Sequence, residues 1–232
     1  MSKKLYEETD IQSIANSIRE KNGLTTTYKV SEMAQAIKDI PSGSSSSDDS
    51  VLNSLIDGSA TTISSTATQV RNCAFYRLSS LTSIDFPEVI KIGDNAFTQC
   101  TALTSVNLPK TQEIRTYAFQ LCSNLTYINL PKVTTIHISG FQDCSQLSTV
   151  DLGAIELFNS AAFKSCTALN TLIIRSSDVC ILNAANVFSD TPLASGTGSI
   201  YVPDDLVDSY KSATNWSTFA DLIKPLSEYT GE

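Results

Sequence analysis

The sequence predicts an α/β solenoid with a period of 22 residues, preceded by a small helical hairpin and closed by a helical C-terminal cap. The main observation is that the same residue types recur every 22 positions. They are Phe75, Phe97, Phe119, Phe141 and Phe163, then Leu81, Leu103, Leu125, Leu147 and Leu169, and Cys100, Cys122, Cys144 and Cys166. Apolar positions that recur in phase roughly every 20–30 residues are typical of stacked units, because one unit cannot bury its apolar face without neighbours.

Residues 1–41 predict the helical hairpin, since two short segments place apolar residues at the spacing of one helix face. These residues are Ile11, Ile14, Ala15 and Ile18 in the first segment and Met33, Ile37 and Ile40 in the second. Pro41 ends the second segment. A hairpin of about 30 residues buries too little surface to be stable alone. We therefore expect it to be an anchoring and assembly segment that drives homo-oligomerisation or docks on another protein.

The string TDIQSIANSIREKNG…YKVSEMAQAIKDI resembles the N-terminal helical segment of virion proteins from phages and prophages of Gram-positive bacteria, often tail or fibre proteins. The resemblance implies that residues 1–41 bind other virion proteins. It also implies a virion location, with synthesis in the host cytoplasm and exposure after lysis. Residues 42–50, SGSSSSDDS, predict a flexible linker to the displayed domain.

Residues 51–232 are predicted to form the solenoid, with an N-terminal cap at 51–70, repeats at 71–198 and a C-terminal cap at 199–232. Each repeat predicts a helical turn around an Ala-Phe pair, followed by a strand such as Leu103–Leu108. Val106 faces inward in that strand and Asn107 faces outward, because side chains alternate between the faces of a sheet.

The C-terminal cap is predicted to start with a strand, Ser199–Val202, and to continue as a helix from Pro203. Trp216, Phe219 and Ile223 then cover the exposed end of the core.

The full repeat, I-x(3)-AF-x(2)-C-x(2)-L-x(2)-I-x-LP, resembles the BspA-like class of bacterial leucine-rich repeats. This resemblance implies a right-handed curved solenoid with a parallel sheet. It further implies a role in adhesion or protein interaction without catalysis, commonly on a surface.

Composition excludes several functions. The net charge of −8 argues against nucleic acid or an anionic membrane as a partner. Neither a run of about 20 apolar residues nor a Sec signal peptide is present, so membrane insertion is not expected. The repeated cysteines are expected to be buried free thiols, whereas Cys73 and Cys180 lie outside their spacing. Without a CxxC motif, and with His137 as the single histidine, no metal or cofactor is expected.

Catalysis is not expected either. Nucleophilic catalysis needs a base beside a serine or cysteine, and His137 falls in a turn. Asp85 and Asp151 occupy equivalent outward positions three repeats apart, about 14 Å at the usual strand spacing. A glycosidase pair lies about 5–9.5 Å apart.

Ligand binding through one face of the sheet is a more specific hypothesis than catalysis. The outward strand positions form two columns about 20 Å long on a five-stranded parallel sheet. Those predicted to stack on or hydrogen-bond a ligand are Asn107, Tyr127, Asn129 and Asp151. The alternative is that these residues only keep the sheet soluble.

Three functions remain open at this stage. The first is a tail- or fibre-type virion protein that displays the repeats to a host-surface protein or glycan. The second is a structural or decoration protein of the virion without a receptor. The third is a bacterial surface adhesin.

Overall fold

The computed structural model describes residues 61–231, which form a parallel β-solenoid of about seven turns with a period of roughly 22 residues. The solenoid predicted from the periodicity is confirmed. The expected hairpin at 1–41, the linker at 42–50 and the first part of the predicted N-terminal cap, residues 51–60, lie outside the described residues.

Each turn has three sides, which we call the first-strand side, the second-strand side and the turn side. The first-strand side holds β1 (Thr62–Ser64), β3 (Ser83–Asp85), β5 (Ser105–Asn107), β7 (Tyr127–Leu130), β9 (Thr149–Leu152), β11 (Thr171–Ile174) and β13 (Ser199–Val202). The second-strand side holds β2 (Gln69–Val70), β4 (Lys91–Ile92), β6 (Glu113–Ile114), β8 (Thr135–Ile136), β10 (Leu157–Phe158) and β12 (Ile181–Leu182). All pairs of neighbouring strands are parallel.

The inward strand positions fix the register. Ile84, Ile128, Val150 and Leu172 are all at most 2% exposed. A slip by one residue would move each of them to the solvent face, so the buried side selects one register.

The first-strand side does not form the single continuous sheet that was expected. It divides between β5 and β7, giving one sheet of β1, β3 and β5 and another that begins at β7. Val106 of β5 is only partly buried, whereas Ile84 and Ile128 at the same repeat position are buried. Residue type is not the cause, because Val150 at the same repeat position is fully buried; β5 pairs with β3 alone.

The prediction of a helical turn around each Ala-Phe pair is wrong. Asn95 and Gln99, on either side of Phe97, have positive φ angles of 55° and 63°. With this alternating backbone, Phe97 N–H donates to the Ala118 carbonyl of the next turn at 2.7 Å. A helix would direct these groups along its own axis. Here they join adjacent turns instead, which satisfies backbone groups that would otherwise be buried unpaired.

The core next to the turn side contains a column of stacked rings. Phe119 lies 5.0 Å from Phe97 and 5.1 Å from Phe141, measured between ring centroids. The neighbouring thiols also connect successive turns, because Cys122 Sγ donates to the Phe97 carbonyl at 3.2 Å. All six cysteines are free in the structure: the four repeated ones are buried, as expected, Cys73 is half-buried and Cys180 is buried.

The C-terminal cap is less helical than predicted. It has a single short α-helix, α1 (Val207–Ser212), with 3-10 turns at Asp204–Leu206, Trp216–Leu222 and Leu226–Glu228. Ile223 lies in a further strand, β14 (Ile223–Pro225), which pairs with β13. An open strand edge needs a backbone partner that a helix would not provide. As expected, Trp216 is buried, with 1% of its surface exposed.

Side chains from the cap also satisfy the backbone of the last strand on the second-strand side. The Trp216 indole N–H donates to the Cys180 carbonyl at 2.7 Å, and the Cys180 N–H donates to the Tyr210 hydroxyl at 3.1 Å. Asn215 Nδ2 donates to the Leu182 carbonyl at 2.8 Å. The end of the core is therefore closed by hydrogen bonds as well as by apolar contact.

Candidate binding surface on the first-strand side

The strand register places the outward residues of the first-strand side in two columns. One contains Thr62, Ser83, Ser105, Tyr127, Thr149, Thr171 and Ser199. The other contains Ser64, Asp85, Asn107, Asn129, Asp151, Ile173, Tyr201 and Lys224. Small polar residues predominate in the first column, so Tyr127 is the exception in it.

Asn107 lies apart from the other three predicted residues, because the sheet divides between its strand and theirs. It is exposed, and its Nδ2 donates to Asp85 Oδ1 at 2.7 Å. This bond fixes the orientation of the amide.

Tyr127 and Asn129 lie on the outward face of β7, and both are exposed. Tyr127 is 49% exposed, one of the largest apolar surfaces among the described residues. Partial burial of its phenol, together with the negative charge of Asp151, raises the pKa of Tyr127. The hydroxyl therefore stays protonated and available as a donor.

Asp151 differs from the expectation of an exposed hydrogen-bonding residue, since only 8% of its surface is accessible. Arg175 covers it, with Nε and Nη2 donating to its two carboxylate oxygens at 2.8 and 2.9 Å. These hydrogen bonds raise the pKa of Arg175. A bidentate pair of this kind holds the guanidinium in one plane, so the accessible group at this point is Arg175 and not Asp151.

Sequence reasoning overlooked Arg175 as a surface residue. The available signal was its position, because Pro87, Pro109 and Pro131 occupy the equivalent place in earlier repeats. The arginine replaces a turn-forming residue with one that reaches back over the sheet.

The cap contributes two further aromatic residues. Tyr201 follows Ile173 in the outward column, and its ring lies 5.1 Å from the ring of Tyr229. Lys224 Nζ lies 5.9 Å from the centroid of Tyr201, within the range of a cation–π contact. Ile173 is 1% exposed although its register faces outward.

The surface formed by Tyr127, Asn129, Arg175, Tyr201 and Tyr229 is called the tyrosine face below. It combines flat rings, an amide and a fixed guanidinium. Such groups bind a ligand by ring contact and hydrogen bonding.

The second-strand side carries a separate network of charges centred on Glu113. Its carboxylate contacts Lys91 at 2.8 Å, Arg115 at 3.0 Å and His137 at 2.7 Å. Although burial alone would raise it, these partners lower the pKa of Glu113 to about 2. His137 is thus a hydrogen-bond partner of Glu113.

Among residues 61–231, no group of three or more histidine, cysteine, aspartate or glutamate residues is arranged to hold a metal ion. No helix in this same part of the chain has the length and apolar character needed to cross a membrane.

Comparison with solved structures identifies similar folds. The pneumococcal vaccine antigen PcpA matches with a TM-score of 0.50 and 13% identity, over 72% of this chain and 40% of that chain. A leucine-rich cell surface protein from Faecalibacterium prausnitzii matches with a TM-score of 0.44 and 26% identity, over 53% of this chain and 40% of that chain. A leucine-rich repeat protein from T. pallidum matches with a TM-score of 0.41 and 22% identity, over 49% of this chain and 69% of that chain. This chain thus spans less than half the length of the first two.

A search of curated proteins found no match. In contrast, the family model for the BspA type leucine-rich repeat region matches residues 68–194 in six copies, which is more than half of the chain. The repeat period, the parallel strands and the buried Phe and Cys columns agree with that match. The chain belongs to the family of BspA type leucine-rich repeat proteins.

Proposed function

We propose that this protein is a non-enzymatic adhesin that binds a protein on a cell surface through its tyrosine face. The proposal rests on three positions at which the chain departs from its own repeat. Tyr127 replaces a small polar residue, Arg175 replaces a proline, and Tyr201 follows in the last turn. All three departures fall on one face, although the repeat leaves outward positions on three sides.

The composition of this face favours a protein partner. Tyrosine and arginine dominate the energetics of protein interfaces, because they bury a large area with few rotatable bonds or with a planar set of donors. The residues that define the repeat are buried and hold the fold together. They leave the outward positions free to vary with the partner.

The test uses the full-length chain, fluorescently labelled, on intact Gram-positive bacteria and on epithelial cells. Saturable binding to either surface is expected, with a loss of at least about tenfold in affinity when Tyr127 and Asn129 are both replaced by alanine. Tyr117→Ala, a tyrosine on the turn side, is the matched control and keeps full binding. Unchanged binding by the double variant would refute the proposed face, and loss after glycosidase treatment of the cells would indicate a glycan.

A virion protein is the second candidate, favoured by the resemblance of residues 1–41 to virion proteins of Gram-positive phages. In this function the N-terminal segment attaches the chain to other virion proteins as a homo-oligomer, and the solenoid is displayed or is decorative. Mass spectrometry of purified particles and of cell-wall fractions separates the candidates. Recovery of the chain only in the wall of uninfected cells supports the adhesin and excludes the virion protein.

A further inference from the structure

A pocket of about 260 Å³ lies in the C-terminal cap, between the loop that precedes β13 and the 3-10 turn at Trp216–Leu222. Its apolar lining consists of Leu193, Phe219 and Leu222, which are 1%, 8% and 8% exposed. Gly196 also lines the pocket, and a Cβ built on this residue would meet no atom within 4 Å, so there is open space beside it. Small-molecule sites usually measure about 300–1,000 Å³. The smaller volume here favours an occupant of the size of one side chain.

The two hydroxyl groups that line the pocket, those of Ser195 and Thr218, act as hydrogen-bond acceptors toward a ligand. Ser195 Oγ donates to the Pro192 carbonyl at 3.0 Å, and Thr218 Oγ1 donates to the Asn215 carbonyl at 2.8 Å. Because a hydroxyl has one hydrogen, each of these oxygens is left with lone pairs for any further partner.

The backbone N–H groups of the loop are also used within the loop. Ala194 N–H donates to Thr191 Oγ1 at 3.2 Å. The N–H groups of Ser195 and Gly196 donate to the carbonyls of Thr191 and Leu193, both at 3.2 Å. An anion would therefore find no donor among these groups.

Asp221 is the single charged residue in the lining of the pocket, and it is exposed. Within residues 61–231, no salt bridge joins Asp221 to a cationic side chain. Residues 201–231 of the cap contain five acidic and two basic side chains. This excess of negative charge attracts cations. A carboxylate also accepts stronger hydrogen bonds from a charged donor than from a neutral one.

We propose that this pocket, called the cap pocket below, binds the side chain of a lysine on a protein partner. An ammonium has three donors and no acceptor, which matches two hydroxyl oxygens and a carboxylate. The alkyl stem of the lysine packs on the apolar lining, as such stems do on other apolar surfaces. The cap pocket shares no residue with the tyrosine face, so it is a second and separate binding site.

The experiment titrates n-butylammonium, which reproduces the end of a lysine side chain, into the isotope-labelled full-length chain at constant ionic strength. Saturable shifts of the amide NMR signals of Gly196 and Thr218 are expected. A dissociation constant on the order of millimolar is ordinary for a ligand of so few atoms. The Asp221→Asn variant should bind at least about tenfold more weakly, because a hydrogen bond between two charged groups is lost. The matched control is Asp208→Asn, which removes an exposed carboxylate of α1 outside the pocket and should leave binding unchanged.

Two other ligands test the chemistry of recognition. The first, n-butanol, keeps the alkyl chain without the charge, and tetramethylammonium keeps the charge without N–H donors. Both should bind at least about tenfold more weakly than n-butylammonium. Equal binding of tetramethylammonium, tighter binding of n-propylguanidinium, or no saturable shift at Gly196 and Thr218 would overturn the proposal.

The source of the ammonium group is tested on cells, and this part of the test rests on the proposed adhesin function. Acetylation of the lysines on the cell surface should lower the affinity of the unaltered chain more than that of the Asp221→Asn chain. An equal effect on both chains would overturn the assignment to a protein partner. Failure of the cap pocket is distinguishable from failure of the adhesin function, because the latter is tested by replacing Tyr127 and Asn129.

Discussion

Ala161 and Ala162 are adjacent alanines that test the backbone of the turn side. Ala161 has a φ angle of 56° and is 8% exposed, whereas Ala162 lacks a positive φ and is fully buried. Both lie in one turn, in which Ala162 N–H donates to the Asn159 carbonyl at 3.2 Å. Replacing each by glycine removes the same methyl group and adds the same freedom to the unfolded chain.

The two replacements should therefore differ only by the cost of the left-handed conformation. Lost methyl burial costs about 0.8 kcal/mol, and the greater entropy of unfolded glycine costs about 0.5–1 kcal/mol. For Ala162→Gly, both losses apply, giving a destabilisation of about 1.5 kcal/mol. For Ala161→Gly, relief of about 1–2 kcal/mol of left-handed strain offsets them, so the free energy of unfolding should change little.

Urea unfolding of the full-length chain, followed by circular dichroism, measures both variants as shifts of the midpoint at constant slope. The expected difference in the free energy of unfolding between them is about 1–2 kcal/mol. Equal destabilisation by both replacements would refute the claim that left-handed residues of the turn side are strained.

Two further predictions concern titratable groups. Burial raises the pKa of the Cys100 thiol to about 12 and that of the Cys122 thiol well above its usual range. Ellman's reagent should therefore react with at most one thiol of the native protein, that of half-buried Cys73, and with all six after denaturation. Fast reaction of two or more native thiols would contradict this prediction. Glu113 has a folded pKa of about 2 against an ordinary value of 4.5, so its stabilisation is complete above pH 4.5 and is lost as the pH falls toward 2. The Glu113→Gln variant should thus have a lower thermal midpoint than the unaltered chain at neutral pH, and this difference should vanish by about pH 2. A difference in thermal midpoint that does not depend on pH would argue against the network.

The periodic positions made the fold predictable from sequence. Phe119, Cys122 and Leu125 each occupy a repeat position that is buried in the internal turns, with half-buried Phe75 of the first turn as an exception, so their spacing predicts the architecture directly. The shape of the Ala-Phe turn was not predictable in the same way. Short polar segments suit a helical turn and a left-handed turn almost equally well, and the choice depends on hydrogen bonds to the next turn of the solenoid.

The candidate site was predicted only in part, for a related reason. Alternation along β7 correctly placed Tyr127 and Asn129 outward. It could not show that Arg175 reaches back to Asp151 from the following turn, nor that Tyr229 returns from the cap to lie on Tyr201. These contacts join residues about 24 to 28 positions apart, outside the 22-residue pattern.

The backbone of the turn side also gives the solenoid a net dipole along its axis. Its backbone N–H groups donate to carbonyls of the following turn, from Cys73 to Asp94 through to Ser165 to Ser189. The resulting dipole has its positive end toward the C-terminus, opposite to that of an α-helix. Residues 201–231, which close this end, contain five acidic and two basic side chains. The acidic excess of the cap has the sign of charge that a positive dipole end favours.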